Sequence, residues 1–392
     1  MPTIGLIYLL YFLRMLGLFC ILPVFAIAAV EELGATSWQI GLAVGVYGIA
    51  QCLLQIPLGW ASDRYGRRRV ILMALLVFAG GSVIAALSDT VLGVIAGRFL
   101  QGSAAIAGVL LAWIGDVVVP EKRSVAMAGV GGSIALAFGL SMVVGPWLYS
   151  TLGLPSLFWF CGGLALVAAL LVLALDERQD QSPQIHGQID EGPWLTPKHR
   201  PSLIFICVGI ALNHLVLMAV FLMLPQALVR AGVAVGDHGL FYLVVLVLSL
   251  VFIAWPLAKD RRGGSTSSVV WPFPLMAIAM ILLTTEPTLG LLVLASILLF
   301  MGFNFLEASY PSRATLLASA SRRGLVMGYL QHLSIRRYCT RRGSRRIHCL
   351  CSGRCCTADR LRDGVGFVYR SRMGRVEVRI QSMRVGLMAN HK

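Results

Sequence analysis

Charged residues are scarce in this sequence, and acidic residues are the scarcest. Only 13% of the 392 residues are charged, whereas 57% are hydrophobic, and the mean hydropathy is +0.80. A soluble globular domain is about a quarter charged, so this chain has too little polar surface to cover a water-soluble particle of its size. The scarcity of charge excludes the ordinary soluble classes and indicates an integral membrane protein.

Enzyme motifs are also missing from the sequence before residue 325. It holds no cluster of metal ligands, no nucleophile motif and no nucleotide-binding loop. We therefore expect no enzymatic activity, no bound metal and no cofactor. A cleavable signal peptide is not expected, because the first apolar run is too long for one and has no basic leader.

Ten apolar segments of about the length of a membrane helix follow one another up to residue 312. They are predicted over residues 4–29, 39–60, 70–88, 91–115, 124–148, 155–175, 201–227, 238–258, 267–284 and 288–312. The loops after the even-numbered segments hold fifteen Lys and Arg residues, whereas the loops on the other side hold only Arg230. The positive-inside rule then predicts a multi-pass protein with a cytoplasmic amino terminus.

The polar stretch 176–200 divides these segments into two groups. Six segments precede it, within residues 1–175, and four follow it, within residues 201–327. A linker at this place is typical of a transporter built from two parallel six-helix repeats. The sequence therefore predicts an all-α membrane fold of two halves in which the last two helices of the second half are lost.

The most specific local signal is the string Gly-Trp-Ala-Ser-Asp-Arg-Tyr-Gly-Arg-Arg, called here the signature loop, after the second segment. Its glycines permit a tight turn, its aspartate is able to accept hydrogen bonds from a facing helix N-terminus, and its arginines suit acids or lipid phosphate. The arginines alone would indicate only a basic loop, but a degenerate copy at 256–263 supports a repeated element. The candidate residues are Gly59, Asp63, Arg64, Gly66, Arg67 and Arg68.

Two further segments carry unusual residues. In the fourth segment Arg98 lies inside an apolar span, where a charge is costly unless it is paired or hydrated; the alternative is an arginine that extends to the nearer membrane surface. The fifth segment is rich in glycine and ends in Gly145-Pro146. Small residues allow helices to approach closely and proline kinks a helix, so packing alone is one interpretation of that pattern.

Polar residues deep in other segments are predicted to line a central cavity. A carboxylate there is able to load and release a proton near neutral pH, and histidine titrates in that range. Glu307 is therefore a candidate protonation site, with a structural ion pair to Arg14 as the alternative, and an interhelical hydrogen bond is the alternative for His214. The cavity candidates are Arg14, Asn213, His214, Asn304 and Glu307.

Several of these strings resemble the motifs of the major facilitator superfamily. The signature loop is similar to the conserved loop of that family, and Arg98 with Gln101 and Gly102 matches its helix-four motif, which the resemblance links to proton coupling. The stretch ending in Gly145-Pro146 is similar to the helix-five motif of drug–proton antiporters. Three stretches, 13–24, 81–89 and 304–308, look like the YajR-type branch of bacterial inner-membrane facilitators.

The resemblance implies a function and a set of partners. It implies a monomeric secondary transporter in a bacterial inner membrane that exports small molecules in exchange for protons. It also implies that Asp116 contacts Arg67 or Arg68 and helps to latch a cytoplasmic gate between the halves. An importer or uniporter of the same fold is one alternative, and a non-functional remnant is another.

The tail, residues 328–392, differs in composition from the rest of the chain. Residues 325–392 hold 15 of the 33 Lys and Arg residues and five of the nine cysteines. The cysteine spacing matches no standard zinc pattern, and the basic residues form no recognisable nucleic-acid motif, so no nucleic-acid partner is expected. A shifted reading frame could encode apolar strings from Ile335 to Cys356, which predicts that the tail is a frameshifted product of the last two helices.

Overall fold

The computed structural model describes residues 2–119, 122–174, 200–261, 269–285 and 288–317, together with 356–361, 364–371 and 374–378. Residues 176–199 of the predicted linker, the last two residues of the degenerate loop copy and the predicted start of an eleventh helix lie outside the described residues. The described α-helices are α1 Pro2–Leu33, α2 Ser37–Tyr65, α3 Arg67–Ala86, α4 Val91–Ser103, α5 Ala107–Val117, α6 Arg123–Leu152, α7 Leu154–Leu173, α8 Arg200–Arg230, α9 His238–Arg261, α10 Pro272–Thr284 and α11 Leu289–Leu317.

The described helices match the ten predicted segments in order. Nine spans are long and apolar enough to cross a membrane, when α4 and α5 are taken together as one span. The tenth, α10, has 13 residues and begins five residues later than predicted, at Pro272, because the proline fits the first turn of a helix, where no N–H is needed. Among the described residues, the predicted membrane segments are thus helical, as predicted, apart from one interruption in the fourth.

Local sequence signals set the helix ends. A capping box begins α2, in which the Thr36 side chain accepts from the Gln39 backbone N–H and the Gln39 side chain accepts from the Thr36 N–H. The turn from α2 to α3 is a single residue, Gly66, with a φ of 92°. That conformation is easily adopted only by glycine, so the glycine of the signature loop is what allows α3 to start directly after α2.

The predicted fourth segment, 91–115, is wrong in one respect, because the structure breaks it at Ala104–Ile106 into α4 and α5. Two side chains of α1 bond to the backbone beside the break. Tyr11 Oη donates to the Ala107 carbonyl over 2.6 Å and Arg14 Nη2 donates to the Ala104 carbonyl over 3.3 Å. These bonds hold α1 against the interruption, and no pattern within the segment itself indicates them.

The helices form two cores. One is built from α1 to α7 and the other mainly from α8 to α11. We call one end of the bundle the basic end, because its described helix ends and connections carry Arg64, Arg67, Arg68, Lys122 and Arg123, and the other the acidic end, because its helix ends and connections carry Glu31, Glu32, Asp89 and Asp237.

The side chains that join the two cores lie between the middle of the membrane and the acidic end. Leu22 of α1 and both Phe138 and Met142 of α6 are buried among residues of the second core. Closer to the acidic end, α6 approaches α9 so tightly that a Cβ on Gly239 would lie 3.2 Å from Val143 Cα. The two halves are therefore closed against each other toward the acidic end.

Part of the tail forms a small antiparallel sheet that the sequence analysis did not predict. Its strands are β1 Cys356–Leu361, β2 Gly364–Ser371 and β3 Gly374–Val378, in the order β1-β2-β3. In the register, Cys356 pairs with Tyr369 and Phe367 pairs with Val378. This sheet belongs to a separate compact unit, residues 338–392.

Candidate functional site

The signature loop is held by ion pairs and hydrogen bonds within the first half. Arg67, at the start of α3, pairs with Asp63 of α2 through Nη1 and with Asp116 of α5 through Nε, the latter over 2.9 Å. The next residue, Arg68, donates to the Val172 and Leu173 carbonyls at the end of α7 over 3.1 and 2.7 Å. Two adjacent arginines thus tie α3 to three other helices at the basic end.

The structure gives each predicted loop residue a place. Arg67, rather than Arg68, is the partner of Asp116, and both members of that pair belong to the first half, so the pair does not bridge the two halves. Arg64 lies over the rings of Trp60 and Tyr65, at 5.7 and 5.9 Å from their centroids. No atom would meet a Cβ added to Gly59, so close approach to described residues does not explain that glycine.

Arg98 is buried inside the first half and does not extend to the membrane surface. Its side chain is 1% exposed. Its Nη1 donates to Gln101 Oε1 over 2.8 Å, and Gln101 Nε2 donates to Ser82 Oγ on α3 over 2.7 Å. The guanidinium also stacks on the Tyr47 ring of α2 at 4.5 Å, a favourable cation–π distance. The predicted alternative, an arginine that reaches the nearer surface, is therefore wrong.

Glycines allow the close helix contacts around this cluster. A Cβ on Gly102 would collide with the Tyr47 carbonyl of α2, and a Cβ on Gly145 would collide with the Cys20 carbonyl of α1. Pro146 lies inside α6, which continues to Leu152. The glycines of the predicted helix-four and helix-five motifs thus have a packing role, because only a residue without a side chain fits between the two backbones.

The predicted cavity residues of the second half come together, but Arg14 does not join them. His214 Nε2 of α8 lies 3.9 Å from Glu307 Oε2 of α11, and both side chains are about half exposed, at 48% and 45%. Asn304 donates to Ser249 of α9 over 3.2 Å. The predicted alternative of an ion pair between Glu307 and Arg14 is wrong, because Arg14 bonds to α2 and to the helix break within the first half.

Aromatic rings separate this pair from the closed acidic end. Phe138 of α6 contacts rings from both halves, with centroid distances of 5.2 to 6.3 Å, and the His214 ring lies 6.1 Å from Phe303. We call Phe19, Phe138, Phe221, Phe300 and Phe303 the aromatic cluster. In α8 and α11, His214 and Glu307 lie on its basic-end side. The cluster is not predicted from the sequence, since phenylalanines scattered through apolar segments give no local signal.

Fold and site together define a helical membrane protein of two packed halves with a titratable pair beside their junction, which is the architecture of a transporter. The chain belongs to the Major Facilitator Superfamily, whose family model matches residues 7–334. It is accordingly a membrane transporter and not an enzyme, and its multi-pass helical fold is that of the family.

Individual relatives agree with this assignment. The chain is 35% identical over 319 residues to the inner membrane transport protein YajR of Escherichia coli. The aligned region covers 81% of this chain and 70% of the relative. It is 34% identical over 138 residues to the bacillibactin exporter of Bacillus subtilis, 33% of each chain. Among solved structures, a bacterial homolog of the lysosomal transporter Spinster in an inward-facing conformation matches 85% of this chain and 78% of its own, with a TM-score of 0.66 and 14% identity.

Proposed function

We propose that this chain is a proton-coupled exporter of small molecules, in which His214 and Glu307 carry the coupling proton. The observation that carries the proposal is the 3.9 Å approach of His214 to Glu307. A carboxylate and an imidazole are the side-chain types that carry protons inside membrane transporters. A proton gained or lost by either member would change the charge interaction between them and so how α8 and α11 pack.

Alternating access follows from the arrangement of the halves. They are closed toward the acidic end, and the titratable pair lies on the other side of the aromatic cluster. By the positive-inside rule the basic end is cytoplasmic, which places the amino terminus in the cytoplasm of a bacterial cell. Under this proposal, the closure toward the acidic end and the half-exposed His214 and Glu307 side chains support a state open to the cytoplasm, from which an exporter loads its substrate.

Export, rather than import, is supported by two observations. The glycine-proline end of α6 packs on α1, as expected from the antiporter-like motif, and the Bacillus subtilis relative is named as an exporter. The apolar surroundings of the aromatic cluster suit an apolar small molecule. An importer or a uniporter of the same fold remains the alternative, and proton movement during transport separates the three, as tested below with Glu307.

We further propose that the signature loop sets the balance between the two open states. Asp63→Asn and Asp116→Asn each remove one partner of Arg67. Because both acids are substantially exposed, at 65% and 46%, each change is expected to lower the free energy of unfolding by less than about 1 kcal/mol. The expected effect is instead a change in how fast maleimide labels single cysteines introduced near each end of the bundle. Asp89→Asn is the control and is expected to label as the wild type does. Labelling equal to wild type in both the Asp63→Asn and Asp116→Asn variants contradicts this role.

The domain organisation is proposed together with a frameshift. Residues 1–175 and 201–327 would be the two halves, and the region after 328 a shifted reading of the last two helices. The end of the family match at residue 334 supports this proposal. Sequencing the coding DNA across codons 320 to 392 tests this proposal. If a neighbouring reading frame encodes two apolar helices, the gene is damaged. If no neighbouring frame does, the tail and its sheet are a genuine segment of the protein.

A further inference from the structure

Two arginines are buried in the first half without a described carboxylate beside them. Arg98 is 1% exposed and Arg14 is 5% exposed. The ion pairs between described residues lie at the basic end and between α8 and α11, so neither arginine belongs to one. On α1 the nearest acid, Glu31, is about 25 Å along the helix from Arg14. A buried positive charge without a counter-charge is strongly unfavourable.

The two guanidinium groups differ in how many of their N–H groups have a hydrogen-bond acceptor. Arg98 stacks on Tyr47 and bonds to Gln101. Arg14 uses Nη2 alone, for the Tyr47 hydroxyl at 3.5 Å and the Ala104 carbonyl at 3.3 Å. Its Nε and Nη1 are buried and have no hydrogen-bond partner among the described residues. Two charged N–H donors therefore lack an acceptor in the interior of the first half.

Arg14 is one of the residues that line a small cavity. It has room for about one water-sized sphere, and nearly all of its surface is apolar. Apart from Arg14, its polar group is the Cys161 thiol, which is engaged with the Gly17 carbonyl over 2.9 Å. The lining residues come from α1, α3, the helix break and α7, and they include Leu13, Leu75, Phe78, Ala104, Ile106 and Leu164.

We infer that this cavity binds a single monatomic anion such as chloride, held by Nε and Nη1 of Arg14, with the apolar lining side chains moving apart slightly to admit an ion larger than water. An anion supplies both the missing acceptor and the missing negative charge, whereas a water molecule supplies only the acceptor. The size of the cavity excludes a carboxylate or phosphate carried on an organic molecule. The guanidinium group is itself weakly hydrated and suits an apolar setting. The site does not depend on the proposed transport function, because it lies inside one half.

The experiment measures the melting temperature of the purified full chain in detergent while sodium gluconate is replaced by sodium chloride or sodium bromide at constant ionic strength. A ligand that binds only the folded state raises the melting temperature in a saturable manner. We expect such a rise for chloride and bromide in the wild type and its loss in Arg14→Gln. Arg123→Gln is the control, since that guanidinium donates to the Gly115 and Val118 carbonyls at the basic end.

Two results overturn the inference: no halide dependence in the wild type, or the same dependence in Arg14→Gln. If Arg14→Gln does not fold, bromide-soaked crystals of the wild type give the answer. An anomalous peak within hydrogen-bond distance of Arg14 Nε or Nη1 supports the site. Peaks confined to the arginines of the basic end mean an adventitious ion only, and they refute it.

Discussion

Proteoliposomes that contain the Glu307→Gln variant are expected to show no proton-coupled transport above the level of protein-free liposomes. Glutamine keeps the size and polarity of the side chain but cannot exchange a proton, so the variant keeps His214 and loses the carboxylate of the pair. The measurement follows the internal pH with an entrapped dye while a panel of apolar compounds, including ethidium, is added. Compounds that move protons in the wild type are then compared in the variant.

Matched variants make this result specific. Glu307→Asp keeps a titratable carboxylate and is expected to retain part of the activity, whereas His214→Gln removes the other member of the pair and is expected to reduce it. Asp89→Asn changes a carboxylate in a loop at the acidic end and is expected to behave as the wild type. If transport by Glu307→Gln still depends fully on the proton gradient, the proposed role of Glu307 is wrong. If the wild type transports its substrate without any proton movement, the protein is a uniporter.

The second large effect is expected from Gly81→Val on α3. A Cβ at this position would lie 2.7 Å from the Gly97 carbonyl oxygen and 2.8 Å from the Gln101 backbone nitrogen. Because both contacts are backbone atoms, they cannot turn aside, and α3 and α4 must separate. The expected loss in the free energy of unfolding is about 3 kcal/mol, with damage to the bond between Ser82 and Gln101.

The neighbouring glycine offers a control in the same helix. A Cβ on Gly80 meets no atom within 4 Å, so Gly80→Val introduces the same side chain, with the same helix propensity, into open space. The two variants are compared by heating detergent extracts and measuring the folded fraction by size-exclusion chromatography. Similar melting temperatures for Gly81→Val and Gly80→Val would mean that the contact between α3 and α4 does not limit stability.

The helices and their order follow from the sequence because each depends on a local property. An apolar run of membrane length is favourable in lipid whatever surrounds it, and Gly66 marks the turn from α2 to α3 without reference to other parts of the chain. The signature loop was found for the same reason, since its charges and glycines lie within ten residues.

The contacts inside the site are harder to predict from the sequence than the helices are, because they join distant parts of the chain. Arg98 is recognisable as an unusual residue, but Tyr47 as its partner is not, since α2 gives no sign of which face it turns toward α4. The break at Ala104–Ile106 depends on donors from α1, and the pairing of Glu307 with His214 instead of Arg14 depends on how the halves are arranged. Such choices are made by tertiary packing, which a single sequence does not display.

The aromatic cluster has a consequence for how the protein responds to temperature. Under the proposed alternating access, opening toward the acidic end would expose the phenylalanine rings around Phe138 to water, and a phenylalanine ring forms no ion pair and no conventional hydrogen bond of its own. Wetting apolar surface raises the heat capacity, and the hydrophobic contribution to closure weakens on cooling. The equilibrium between the two states would then vary with temperature along a curve, and cold would favour the state open at the acidic end.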